Sequence, residues 1–71
     1  MDEISIKVNG LDEALPLKAT VEEMLRIVEI DPARKGIAIA INDSIVRRAD
    51  WSGRVIANGD RVDIIQATQG G

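Results

Sequence analysis

From Val21 to Val28 the apolar residues recur at helical spacing, and this is the one helix that the pattern supports. Val21, Met24, Leu25 and Val28 fall at i, i+3, i+4 and i+7, which puts them in one stripe on one face. Thr20-Val21-Glu22-Glu23 has the form of a capping box, in which the Thr20 hydroxyl accepts from a first-turn amide and Glu23 reaches back. Glu22 and Arg26 sit at i,i+4 on the wet face, and both glutamates suit the positive end of the helix dipole. Asp31-Pro32 is expected to end the helix, because the residue before a proline avoids the α region. A lone amphipathic helix must bury its stripe against another layer.

The flanking sequence supplies strands for that layer. Ile4, Ile6 and Val8 alternate with Ser5 and Lys7, the period of a half-buried strand. Asn9-Gly10 then turns the chain into Leu11–Leu17, since both residues tolerate positive φ. Pro16 has no N–H to donate, so this second strand is expected at a sheet edge or to stop there. After Gly36, the run Ile37–Ile41 is apolar on both faces and β-branched at every other position. Asn42-Asp43-Ser44 reads as a turn, Ile45-Val46 as a short strand, and Asn58-Gly59-Asp60 as a further turn before a final strand from Arg61 to Gln66. The order β-β-α-β-β-β implies an α+β domain over residues 1–66. Its mixed sheet carries the one main helix packed on one face, the ubiquitin-like β-grasp arrangement.

Composition narrows the function. The chain of 71 residues has no Cys and no His, which removes disulfides, thiolate metal sites and the usual nucleophile–base pairs. No Asp-rich calcium loop, Gly-rich phosphate loop or Walker lysine is present, so neither metal nor nucleotide is expected to bind here. The acids read as a solvated face, and no catalytic residue is assigned. A net charge of −3, with scattered lysines, argues against nucleic acid as a partner. No apolar run approaches the ~20 residues that span a bilayer, and strand pattern begins at Ile4 with no signal peptide before it. No membrane association and a cytoplasmic location are therefore expected.

The last residues carry the chemistry. Ala67–Gly71 has no pattern to hold it against the domain, so residues 67–71 read as a flexible tail. It reaches up to about 17 Å at ~3.3–3.6 Å per residue, enough to thread a partner's channel. Gly70-Gly71 removes every Cβ from the tip and lets backbone approach reacting groups closely. A terminal carboxylate is an anion at pH 7 and a poor electrophile until activated, for example by attack on the α-phosphate of ATP. With no ATP motif in this chain, that activation has to come from a partner. The tail is then a substrate.

These residues resemble a known family. Ala40-Ile41-Asn42, Ile45-Val46-Arg47, Trp51, Gly59-Asp60 and the segment Gln66–Gly71 are similar to the ThiS family of sulfur carriers of thiamine biosynthesis. The resemblance covers Ile37 to the C-terminus, and the capped helix fits it. It implies that an adenylating enzyme related to ubiquitin-activating enzymes uses ATP in trans to adenylate Gly71. A persulfide sulfur from a donor protein then replaces AMP to leave a thiocarboxylate, which thiazole synthase consumes. Gly70 is the slender neck behind it. Thr68-Gln69 is more polar than the family pattern, and Ile65 stands where an aromatic is common. The equivalent carrier of molybdopterin synthase and a ubiquitin-like protein modifier remain as alternatives.

Outside the tail, Ile65 shares a strand face with Arg61 and Asp63, opposite Val62, Ile64 and Gln66. If the helix covers Val62 and Ile64, then Ile65 lies on the open face close to the tail; Ile65 and the next residue, Gln66, are the candidate partner surface. Trp51 is expected to pack over the sheet edge and fix its loop rather than anchor a partner. Arg47-Arg48 is expected as solvated charge on an exposed strand.

Overall fold

The computed structural model describes residues 2–67. Strands β1 (Glu3–Val8) and β2 (Leu11–Pro16) form the antiparallel opening hairpin, paired from Glu3↔Pro16 to Val8↔Leu11. Asn9 and Gly10 both take positive φ, 50° and 85°, the mirror-image turn whose twist matches that of the strands. Helix α1 (Val21–Ile27) follows, then β3 (Ile37–Ile41), β4 (Ser44–Val46) and β5 (Arg61–Gln66). The sheet runs β2-β1-β5-β3-β4, with β1 and β5 parallel and the other pairs antiparallel. This is the ubiquitin-like β-grasp, with β2 at one edge and Pro16 as its last residue, where a missing N–H costs least.

One cluster forms the core. Ile6, Leu15, Val21, Met24, Leu25, Ile39, Ile41, Ile56 and Val62 are all fully buried in it. Among the described residues no polar or charged side chain is buried. The capping box forms as read: the Glu23 amide donates to Thr20 Oγ1 at 3.2 Å, and the Thr20 amide donates to Glu23 Oε1 at 2.9 Å. The two amides between them are taken by a distant loop. Val21 N–H reaches Arg54 O at 3.0 Å and Glu22 N–H reaches Trp51 O at 3.1 Å, so the helix start is free of orphan donors. Glu22 and Arg26 pair at 3.5 Å.

The helix stops earlier than expected at Asp31-Pro32. It ends at Ile27, with Val28 as C-cap and Glu29 in the left-handed region at φ 66°. Ile30 N–H reaches back to Leu25 O at 2.7 Å and Glu29 N–H to Arg26 O at 3.0 Å, the paired bonds of a Schellman ending. Ile30 then packs on the core. Glycine normally fills the position that Glu29 holds, and Glu29 places a negative charge at the wrong end of the helix dipole. Glu29→Gly is therefore expected to stabilise the fold by about 0.5–1 kcal/mol, a rise of ~4 °C in thermal midpoint. A midpoint that falls would show that the strain is relieved elsewhere.

Two smaller corrections concern the segment after β3. The turn into β4 is Asn42-Asp43 alone (φ 50° and 70°), and Ser44 already belongs to the strand. Nor do Arg47 and Arg48 lie on an exposed strand: β4 ends at Val46 and a 3-10 turn spans Arg48–Asp50. Polar turn residues also tie separate segments together. Asn58 Oδ1 accepts from the Ser5 amide at 2.8 Å, and Asn42 Oδ1 accepts from the Arg61 amide at 2.9 Å. The Arg61 guanidinium is held above its ordinary pKa, first by its hydrogen bond to Asp43 and then by that carboxylate's charge.

Candidate functional site

Strand β5 delivers the chain to the candidate site. It pairs with the whole of β3, from Ile41↔Val62 to Ile37↔Gln66. The pleat sends Val62 and Ile64 into the core beneath α1 and sends Ile65 out the other side, 56% exposed. That is the placement expected for Ile65. Its cross-strand neighbour is Ala38, and two residues along β3 lies Ala40, partnered by Ile45 of β4. Ala38, Ala40, Ile45 and Ile65 thus make an apolar strip on the face away from the helix, with Ile45 67% exposed.

Sequence reasoning placed Ile65 on this face but missed Ala38 and Ile45 beside it. The signal was present, since a strand apolar on both faces must show one of them to something other than the helix.

Past Ile65 the chain is tied down at two points. Gln66 is exposed, and its side-chain oxygen accepts from Arg34 Nη1 at 3.1 Å. Ala67 N–H donates to Gly36 O at 2.7 Å, continuing the β3–β5 ladder by one step. Thr68, Gln69, Gly70 and Gly71, the remaining candidate site residues, lie outside the described residues.

Trp51 is not part of this surface. It is 3% exposed, its Nε1–H donates to Val46 O at 3.0 Å, and Arg48 sits 4.3 Å over its ring. It fixes its loop, as expected. Among the described residues no cluster of three or more His, Cys, Asp or Glu could hold a metal ion. No helix among them is long and apolar enough to cross a membrane.

Comparison with known proteins bears on what such a strand end is for. The model of the ThiS family matches residues 3–71, nearly the whole chain and the Gly70-Gly71 terminus with it. The chain belongs to the ThiS family. A relative in Escherichia coli (strain K12), the sulfur carrier protein ThiS, is 36% identical over 62 residues, which is 84% of this chain and 91% of that protein. The crystal structure of the thiamine biosynthesis protein (ThiS) from Geobacter metallireducens superposes with a TM-score of 0.79 at 20% identity, covering 96% of this chain and all of that one. A solution NMR structure of a thiamine biosynthesis protein from that organism gives a TM-score of 0.77 at 20% identity, covering 96% and 88%. At that identity the two structures establish the shared fold.

Membership of the ThiS family gives the open face a context. Proteins of this family are small sulfur carriers in thiamine biosynthesis and not catalysts, so the surfaces that matter are those a partner enzyme touches. In this ThiS-family chain the apolar strip runs along β3 and β5 and ends where Gln66 and Ala67 leave the sheet. Single exposed aliphatics are ordinary. Ile65 and Ile45 stand on the two strands that flank β3, with Ala38 and the buried Ala40 between them on β3 itself, so the strip is continuous across three strands.

Proposed function

We propose that this chain is the sulfur carrier of thiamine biosynthesis, with Gly71 as the residue that bears the sulfur. The observation that carries this reading is the family match through residue 71, which includes the Gly70-Gly71 end. The 36% identical relative, itself a sulfur carrier protein, supports it.

The family match supports the following chemistry. A carboxylate oxygen of Gly71 attacks the α-phosphorus of ATP on an adenylating enzyme related to ubiquitin-activating enzymes, and pyrophosphate leaves. A persulfide on a sulfur donor protein attacks the acyl carbon of the adenylate, and AMP leaves. The acyl disulfide is then cleaved by a thiol, which releases the thiocarboxylate for thiazole synthase. With no Cys in this sequence, both the persulfide and that thiol come from partners. ATP acts in trans, and the carrier needs no resident cofactor. Thr68, Gln69 and Gly70 are the neck that threads the partner, and Ile65 with Gln66 is the surface the partner grips. The cytoplasm is the compartment in which this reading has the carrier work.

The test is the mass of the protein isolated from cells making thiamine. A fraction heavier by the exchange of one oxygen for sulfur at the C-terminus is expected, and deletion of Gly71 is expected to abolish both that fraction and thiazole formation. Conjugates to other proteins that vanish on the same deletion would point instead to a modifier.

A further inference from the structure

The root of the tail is held by a loop that the sulfur-carrier chemistry does not itself require. Between α1 and β3, residues 31–36 fold over the end of β5. Within the loop, Ala33 N–H donates to Asp31 Oδ1 at 2.9 Å and Arg34 N–H to Asp31 O at 3.0 Å. From it, Arg34 reaches the Gln66 side chain and Gly36 O accepts from Ala67 N–H, as described above. The approach is close: a Cβ built on Gly36 would lie 3.4 Å from Ala67 Cβ, and Gly36 has φ 80°.

The loop is braced from behind. Arg48, stacked over buried Trp51, donates to Pro32 O, and to Arg34 O at 2.8 Å. A rigid core residue thus holds an arginine, the arginine holds the loop backbone, and the loop holds the last residues before the tail.

We propose that Arg34 is a positioning residue for the transfer chemistry at the C-terminus, acting through Gln66 and Ala67 with Arg48 as its brace. This rests on the reading that Gly71 is the reacting end. The clasp extends the β3–β5 ladder past its last strand pair, Ile37↔Gln66, and so sets the direction in which the chain leaves Ala67. A directed root reduces the conformations that a terminal segment must give up on entering a partner's channel. The gain belongs to binding and not to the bond-making step, because every reacting group other than the carboxylate is on a partner. Arg34 and Gln66 are both exposed, so global stability has little stake in their contact.

The test uses the full chain with its adenylating enzyme and follows ATP–pyrophosphate exchange in wild type, Arg34→Ala, Gln66→Leu, the double variant and Arg34→Lys. In parallel, NMR hydrogen exchange at the Ala67 amide reads the clasp with no partner present. Arg34→Ala and Gln66→Leu are each expected to raise the KM for the carrier about fivefold, the scale of one ordinary net hydrogen bond, which is what an exposed pair supplies. In both, kcat and the unfolding midpoint stay unchanged while Ala67 amide exchange speeds up. The double variant loses no more than Gln66→Leu alone, and Arg34→Lys, which keeps a donor for Gln66, stays near wild type. A KM that rises for Arg34→Ala but not for Gln66→Leu would mean that Arg34 touches the partner directly, and the proposal fails. Unchanged Ala67 exchange in both single variants also overturns it. If the wild-type chain supports no pyrophosphate exchange, the Gly71 reading fails and takes this proposal with it; unaffected variants of an active wild type sink this proposal alone.

Discussion

Trp51→Ala is expected to leave most of the chain unfolded at 25 °C. Truncating a buried Trp costs ~3–5 kcal/mol, and a core in a chain this short supplies only about 3–5 kcal/mol of net stability. The two quantities are of the same size, so the variant sits near or past its own midpoint. Several contacts meet at this side chain. Its ring is 3% exposed, its Nε1–H satisfies Val46 O, and the guanidinium of Arg48 lies over its face. Its backbone carbonyl takes the Glu22 amide, so a loop that collapses also orphans a donor at the start of the helix.

Trp51→Phe separates packing from polar loss. The Phe ring fills much of the space but cannot donate to Val46 O, which keeps its ladder partner Ile39, so the polar loss is one net hydrogen bond, ~0.5–1.5 kcal/mol. That variant should fold with a midpoint about 5 °C lower. Urea unfolding followed by far-UV circular dichroism decides both, since Trp51 is itself the only fluorescent reporter. A Trp51→Ala chain as stable as wild type would make the residue a surface anchor after all.

Which features could be read from sequence depended on how local their causes are. The opening hairpin and the capping box were legible because each is decided within a few residues: Asn9-Gly10 supplies both positive φ angles, and Thr20 and Glu23 satisfy each other. Ile65 was placed correctly because alternation along one strand fixes its face once Val62 is in the core. The helix end was misread because the stop is a Schellman turn built on Glu29, a residue that gives no sign of a left-handed position, whereas Pro32 is a conspicuous breaker that acts too late. Arg48 was misread for the opposite reason. Its partners, Trp51, Pro32 O and Arg34 O, lie on three segments that only the finished fold brings together. The candidate site divides in the same way. Gly70-Gly71 announces itself locally, while the clasp depends on Arg34 meeting Gln66 across 32 positions, which no pattern within one element encodes.

Asn9→Ala is expected to cost ~2–4 kcal/mol, out of proportion to a turn position. Asn9 does more than turn the hairpin. The parallel β1–β5 pairing ends at Val8↔Val62, and beyond it the Asn9 side chain stands in for the next ladder residue. Its Oδ1 accepts from Ile64 N–H at 2.7 Å, its Nδ2 donates to Ile64 O at 3.2 Å, and its own amide donates to Val62 O at 2.9 Å. Alanine removes both side-chain bonds from a part-buried strand and must also adopt φ 50°, which its Cβ resists.

Three variants resolve these contributions. Asn9→Gly accepts the turn geometry but has no amide, so it reports the side-chain bonds alone. Asn9→Asp tolerates the left-handed region and keeps the acceptor, but turns a carboxylate oxygen toward the Ile64 carbonyl where a donor was. The expected order of denaturant midpoints is Asn, Asp, Gly, Ala, from highest to lowest. Glycine matching asparagine would reduce Asn9 to a turn former and overturn the account. The amide of Ile64 gives the local reading: its hydrogen exchange should accelerate in Asn9→Gly at protein concentrations and temperatures where the chain is still fully folded. That amide precedes Ile65, Gln66 and Ala67 directly, so the strand that presents the tail is fastened from both sides, by Asn9 across β1 and by Gly36 and Arg34 beyond β3.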